Sequence, residues 1–272
     1  MPEPRNDRKQ RASGILASLG GACDAGLRLE MMAEIDSTNE ALKRRATESD
    51  IHGLCLIAEQ QTAGRGRLGK CWISPPESNL YLSLGWCLET DPAELGGLSL
   101  AIGAAIADNL ESGFDVPVQL KWPNDMYLGG LKCGGILVEL IHSGEDGCHV
   151  VVGVGLNIAM PESDSQAIDQ PWTDLASHLS DTPSRDEVAG LVLKGLVSVL
   201  DGWQVSSLAN WLARWSSRDF LKGCDVAVQQ GGLSVTGRAA GVDPVGALLV
   251  ETAEGEVSVH SGEASMLREV KQ

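Results

Sequence analysis

The stretch CGGILVELIHSGEDGCHVVVGVGLNI, residues 133–158, decides the architecture of this chain. Two apolar, β-branched runs, Cys133–Ile141 and Cys148–Ile158, flank the polar turn Ser143-Gly144-Glu145-Asp146-Gly147. Parallel neighbours need a crossover of about a dozen residues or more, so two strands joined by so short a turn are antiparallel. That disfavours a doubly wound parallel sheet and predicts an α+β fold with a mixed, largely antiparallel sheet.

Working outward, Leu54–Glu59, Leu80–Trp86 and Val116–Lys121 read as further strands. Ser37 and Glu40 have the spacing of a capping box and predict a helix from Ser37, and Ser184 with Glu187 predicts another running to about Leu200. Leu95, Leu98, Ile102, Ala105, Ile106 and Leu110 recur at helical spacing and predict a long helix over about Pro92–Glu111. Pro161–Pro171 is acidic and reads as irregular, and Trp211 and Trp215 read as packing residues. From about Leu221 the pattern changes to short β runs, Val226–Gln229, Ser234–Ala240, Ala247–Glu251 and Val257–His260, which predict a small barrel. The expected organisation is a flexible N-terminal tail over 1–28, polar and of mixed charge at its start, a large domain over 29–220 and the barrel over 221–272.

Composition narrows the functional classes. The chain has 272 residues, is 43% hydrophobic, and contains no apolar run near the roughly 20 residues that a spanning helix needs. It shows no secretion signal, and its seven cysteines form no C-x-x-C pair, which predicts reduced thiols and a cytoplasmic setting. Five scattered histidines offer no paired zinc spacing. A net charge of −16 argues against generic nucleic-acid binding, which depends on basic surface.

Against that acidic background, Gly64-Arg65-Gly66-Arg67-Leu68-Gly69-Lys70 concentrates three cations among glycines, directly after a strand. Glycine lets backbone N–H groups approach an anion, and arginine supplies planar donor forks for carboxylate or phosphate. The loop nearly satisfies G-x-G-x-x-G and the P-loop, but both require a helix next, and Trp72-Ile73-Ser74-Pro75-Pro76 follows instead. A second cluster, Lys121-Trp122-Pro123-Asn124-Asp125, precedes Lys132-Cys133-Gly134-Gly135. Its Asn-Asp turn is either structural or a source of oxygens for Mg2+, and two lysines beside glycines favour a phosphate. Asn157, closing a strand, either ends the strand or hydrogen-bonds a nucleotide. Asp36-Ser37-Thr38-Asn39 starts a helix and presents polar groups. Cys71 and Cys133 lie beside these clusters and are expected as buried small hydrophobes.

Taken in order, Asp36–Asn39, Glu59 and Gln61 before Gly64–Arg67, Trp72 with Ser74-Pro75, Asn79–Ser83, Lys121–Asp125, Lys132–Leu137 and Gly155–Ile158 resemble the biotin protein ligases over most of residues 30–160. Gly237–Asp243 and Gly246–Val250 are similar to their small C-terminal domain. The resemblance implies a class II synthetase-like catalytic domain and an SH3-like barrel. It also implies activation of biotin by ATP to biotinyl-5'-AMP with release of pyrophosphate, then transfer to a lysine of the biotin carboxyl carrier domain of acetyl-CoA carboxylase or another carboxylase.

Carried over residue by residue, Ser37, Thr38, Asn39 and Gln61 would bind the ureido ring, and Gly64, Arg65, Gly66 and Arg67 would close over the carboxylate. Lys132 would sit between carboxylate and α-phosphate, so Lys132, Arg65 and Arg67 are the expected catalytic residues. Trp72, Lys121, Asn124, Asp125, Lys132 and Asn157 would contact ATP, with Asp125 the Mg2+ ligand. The family often carries arginine where Leu68 and Lys70 stand, which predicts weaker adenylate retention. Some relatives carry an N-terminal winged helix-turn-helix; the stretch before Leu29 is too short for one, which predicts no DNA partner. The run Gly129–Val138 is able to pair edge to edge with a second copy, giving a homodimer, or with the carrier. A lipoate or octanoate ligase is the alternative, and the polar set at Ser37–Asn39 and Gln61, wasted on a dithiolane, argues against it. A biotin sensor and an inactive carboxylase module are the remaining readings.

Overall fold

The computed structural model describes residues 5–20, 26–144, 147–204 and 208–267. Its elements run α1 (Arg5–Ser18), β1 (Arg28–Ile35), α2 (Thr38–Ala46), β2 (Leu54–Gln61), β3 (Leu80–Leu88), α3 (Leu98–Phe114), β4 (Gln119–Lys121), β5 (Asp125–Leu128), β6 (Leu131–Gly144), β7 (Gly147–Leu156), α4 (Glu162–Ser165), α5 (Arg185–Leu200) and α6 (Leu208–Ser216). Five further strands follow, β8 (Asp225–Gln230), β9 (Leu233–Val242), β10 (Leu248–Thr252), β11 (Gly255–Val259) and β12 (Glu263–Met266).

The large sheet has the order β1-β2-β3-β7-β6-β5-β4, with β1 and β2 parallel and every other pair antiparallel. β6 and β7 pair as their sequence predicts; residues 145–146 of their connection lie outside the described residues. The parallel pair arises because α2 forms the crossover between β1 and β2. β7 shows why the sheet is buried on both sides. Val150, Val152 and Val154 enter the main core with α3 and α5, while Val151 joins Leu42, Ile51, Leu54 and Leu56 under α2.

The second sheet, ordered β11-β10-β9-β8-β12, is antiparallel throughout and makes the C-terminal SH3-like barrel. Its last strand, β12, is not visible in the sequence pattern. Trp122 Nε1 donates to the barrel's Gly246 carbonyl at 3.0 Å, fastening the barrel to the large sheet.

Several expectations are corrected. The predicted N-terminal tail contains the helix α1, because Ala12, Ile15 and Leu19 form a narrow buried stripe within an otherwise polar sequence. Arg11 ties that helix to Glu59 at 2.9 Å and to Asp186 at 2.7 Å. The long helix begins at Leu98, since Gly97 adopts φ +76 and separates it from a 3-10 turn over Pro92–Leu95. Within Pro161–Pro171 one short turn, α4, forms. Cys133 is buried but Cys71 is exposed. The sheet edge is also displaced, because β5 and the Asn124 carbonyl cover β6 as far as Ile136. Among the described residues, the open edge runs over 137–144.

Candidate active site

A hollow opens on the α2 side of the large sheet, and the side-chain sizes of three adjacent strands explain it. Ser83, Gly153 and Leu137 lie in one cross-strand row, and Tyr81, Gly155 and Gly135 in the next. A Cβ on Gly153 would stand 2.2 Å from Asn39 Oδ1, and one on Gly155 would stand 2.5 Å from the Trp72 indole. Glycine at both positions is what lets Asn39 and Trp72 lie against the sheet.

The floor of this hollow is polar and hydrogen-bonded. Ser37 caps α2 with φ −155 and ψ 135, and its Oγ accepts from the Glu40 N–H at 3.5 Å. Gln61 Oε1 accepts from the Thr38 N–H at 2.9 Å, and Gln61 Nε2 donates to Ser74 Oγ at 3.0 Å. Ser83 Oγ bridges Thr38 Oγ1, at 2.6 Å, and Asn39 Oδ1. Ser37, Thr38, Asn39 and Ser83 are all buried. The capping box is half complete, because the Glu40 carboxylate turns to Lys43, at 2.8 Å, and to Arg65, at 3.2 Å.

The rim is cationic. Arg65, Arg67, Lys121 and Lys132 all line the cavity, together with Lys70. Lys132 Nζ lies 2.8 Å from Asp125 Oδ1 and 5.7 Å from the Trp72 ring centroid. Arg67 donates to Asn124 Oδ1 at 3.3 Å and to the Gly262 carbonyl at 3.5 Å. Burial pulls the Lys121 ammonium below the ordinary lysine range, with nearby Asp125 opposing. Such a desolvated cation gains most from an incoming anion.

Beyond Trp72 and Lys132 a second cavity adjoins the first, walled by Trp72, Ile73, Met160, Ile168 and Trp172, with Asn157 at its edge. Trp72 Nε1 and Asn157 Oδ1 are buried there without a hydrogen-bond partner among the described residues. Two orphaned polar atoms beside aromatic walls are the expected signature of a flat, heteroatom-bearing ligand.

Of the predicted residues, Ser37, Thr38, Asn39, Gln61, Arg65, Gly66, Arg67, Trp72, Lys121, Asn124, Asp125 and Lys132 surround the first cavity, and Asn157 borders the second. Gly64 lines neither cavity. It allows the loop to pack, since a Cβ there would meet the Trp72 carbonyl at 2.4 Å. Residues not anticipated are Ser83, Glu139, Trp172 and Glu263. Ser83 was signalled by its alternation with Tyr81 on one strand face, whereas Glu263 reaches the rim from the barrel and carries no local signal.

Residues 31–157 match the Biotin/lipoate A/B protein ligase family, and residues 223–267 match the Biotin protein ligase C terminal domain. The chain is 37% identical over 270 residues to the bifunctional ligase/repressor BirA of Escherichia coli, covering 97% of this chain and 81% of that protein. It is 34% identical over 254 residues to the biotin–[acetyl-CoA-carboxylase] ligase of Mycobacterium tuberculosis, covering 91% and 92% respectively. Its fold is similar to the biotin protein ligase of Aquifex aeolicus solved with biotin and ATP, with a TM-score of 0.73, 32% identity, and coverage of 89% of this chain and 99% of that one.

Proposed function

The chain belongs to the biotin protein ligases, and from that premise we propose how its residues divide the work of joining biotin to a protein lysine. The observation that carries the proposal is a pocket with a buried polar floor and a rim of five cations. Biotin has matching ends, a ureido ring and a carboxylate.

In the first step a carboxylate oxygen of biotin attacks the α-phosphorus of ATP and pyrophosphate leaves. Two anions must meet, so the site supplies positive charge aimed at the charge that develops. Lys132 stands between carboxylate and α-phosphate, exchanging Asp125 for the substrate. Arg65 and Arg67 clamp the carboxylate, with the Gly66 and Arg67 backbone closing over it and Gly64 letting the loop pack beneath. Lys121 and Asn124 face the phosphates. The adenine enters the second cavity, where Trp72 and Trp172 offer faces and Asn157 Oδ1 an acceptor for its amino group. Ser37, Thr38, Asn39 and Gln61 take the ureido ring; these hydrogen-bonding groups favour biotin over a lipoyl or octanoyl chain. In the second step the lysine amine attacks the acyl carbon and AMP leaves.

Among the described residues no three side chains form a cation cage. A single carboxylate suits Mg2+, which takes most of its ligands from phosphates and water, and Asp125 is the residue to hold it, with Asn124 beside it. When bound, Mg2+ would neutralise phosphate charge.

The partner is the biotin carboxyl carrier domain of acetyl-CoA carboxylase and of other biotin-dependent carboxylases, reached in the cytoplasm. The open edge of β6 is suited to strand addition by the carrier or by a second copy, giving a homodimer. No helix of the described residues is long and apolar enough to cross a membrane. The charge of −16 disfavours DNA, and a gel shift with promoter fragments is expected to show no biotin-dependent retardation.

The test is incubation with biotin, Mg-ATP and an apo carrier domain, read by avidin blot. Labelling of one lysine, lost when that lysine is arginine, is expected. Labelling by lipoate in place of biotin would overturn the assignment.

A further inference from the structure

Glu139 lies on β6 beside the polar floor, on the α2 side of the sheet, and is not among the residues that line the cavity. Its Oε2 accepts from Asn39 Nδ2 at 2.8 Å, and its Oε1 accepts from Lys43 Nζ at 2.9 Å. We propose that Glu139 is a positioning residue for biotin: by offering one oxygen to Lys43 and the other to Asn39, it fixes which way round the Asn39 amide faces the pocket. The inference rests on the assignment of Ser37–Asn39 to the ureido ring.

An ionised carboxylate only accepts hydrogen bonds, so Asn39 must turn its NH2 to Glu139 and its Oδ1 to Ser83. Burial pushes the Glu139 carboxyl up, but the hydrogen bonds from Asn39 and Lys43 outweigh it and hold the group ionised. A hydroxyl has one proton. Ser83 Oγ is within donating distance of both Thr38 Oγ1, at 2.6 Å, and Asn39 Oδ1, and Thr38 Oγ1 lies 3.2 Å from Gln61 Oε1; with the one Ser83 proton on Asn39 Oδ1, the Thr38 proton fills the short contact to Ser83 rather than the longer one to Gln61. Thr38 then keeps lone pairs for a ureido N–H. Ser37, whose Oγ accepts from the helix, keeps its proton for the ureido carbonyl. One carboxylate outside the pocket thus sets the donor and acceptor order within it.

The arrangement needs two oxygens. In Glu139→Gln only one remains, and the Lys43 ammonium, a donor with no acceptor capacity, claims it. The Gln NH2 then faces Asn39, whose amide must flip, reversing the order along the floor.

The experiment measures binding of biotin and of biotinol, which lacks the carboxylate, by calorimetry to wild type, Glu139→Gln, Lys43→Met and the double variant. Glu139→Gln is expected to weaken both ligands by the same factor, about tenfold or more, from mispaired buried groups. Lys43→Met alone is expected to change affinity by less than about threefold, as befits a half-exposed ion pair. The double variant is expected to recover most of the loss, because the Gln oxygen is free for Asn39. Pyrophosphate exchange at saturating biotin is expected to stay near the wild-type rate, separating KM from kcat. Unchanged binding in Glu139→Gln, or a double variant that binds no better than Glu139→Gln, overturns the inference. Wild type that binds neither ligand would instead overturn the assignment of the pocket.

Discussion

Lys132 and Gly155 carry the clearest consequences at the scale of single residues. Lys132 Nζ is 2.8 Å from Asp125 and borders both cavities, the place where carboxylate and α-phosphate would meet. Lys132→Ala is expected to slow adenylate formation about a hundredfold or more, the scale of losing one preorganised electrostatic stabiliser. Single-turnover formation of labelled biotinyl-AMP checks this, and an unchanged rate would remove Lys132 from the chemistry. Gly155→Ala places a Cβ 2.5 Å from the Trp72 ring and must displace that wall of the second cavity. Its KM for ATP is expected to rise about tenfold, a loss of roughly 1.4 kcal/mol, while biotin binding without ATP changes less. Equal losses for both ligands would contradict the division into two cavities. Leu68, at φ 54 and 75% exposed, faces solvent. Leu68→Arg is expected to slow adenylate release if the missing arginine weakens retention, as filter-binding decay would report.

At the scale of elements, α1 and the glycine loop behave oppositely to their composition. Residues 5–18 are polar enough to suggest a tail, yet Arg11 enters a cluster with Glu59, Asp186 and Arg185 in which Glu59 is only 6% exposed. Arg11→Leu leaves the buried carboxylate with Arg185 alone and is expected to cost about 1–2 kcal/mol in urea unfolding. No loss would mean that α1 is merely laid against the core. The loop 64–70 makes one bridge, Arg65 to Cys71, and turn bonds of its own backbone, and is tied to the rest of the molecule by the ion pairs of the exposed Arg65 and Lys70 side chains and by the long hydrogen bonds of Arg67 to Asn124 and Gly262. Tryptic cleavage at Arg65 or Arg67 is therefore expected to slow when biotin and ATP are added. The same contrast explains what sequence reveals. β6 and β7 were readable because alternation and a short turn are local signals, and the Ser37 cap likewise. The stripe Ala12, Ile15, Leu19 was too narrow, and β12 too short, to register. The cations of the loop were recognisable by type, whereas Glu139 and Glu263 acquire their roles through contacts across 100 or more positions of chain.

At the scale of the whole molecule, the barrel is part of the rim of the site. Arg67 donates to the Gly262 carbonyl, Lys70 pairs with Glu263, and Trp122 reaches Gly246, so loop, sheet and barrel meet at one place. Gly246 has φ +87, and a Cβ there would lie 2.7 Å from the Gly97 Cα, backbone that cannot yield. Gly246→Ala is expected to lower stability by about 2 kcal/mol or more and to lower adenylation with it. The central claim, that a cationic rim over a polar floor activates biotin with ATP, is tested most directly by ATP–pyrophosphate exchange. Purified protein is given Mg-ATP, labelled pyrophosphate, and biotin, lipoate, octanoate or no acid. Exchange driven by biotin alone is the predicted result. Exchange driven by lipoate or octanoate and not by biotin, or none with any acid, would contradict it.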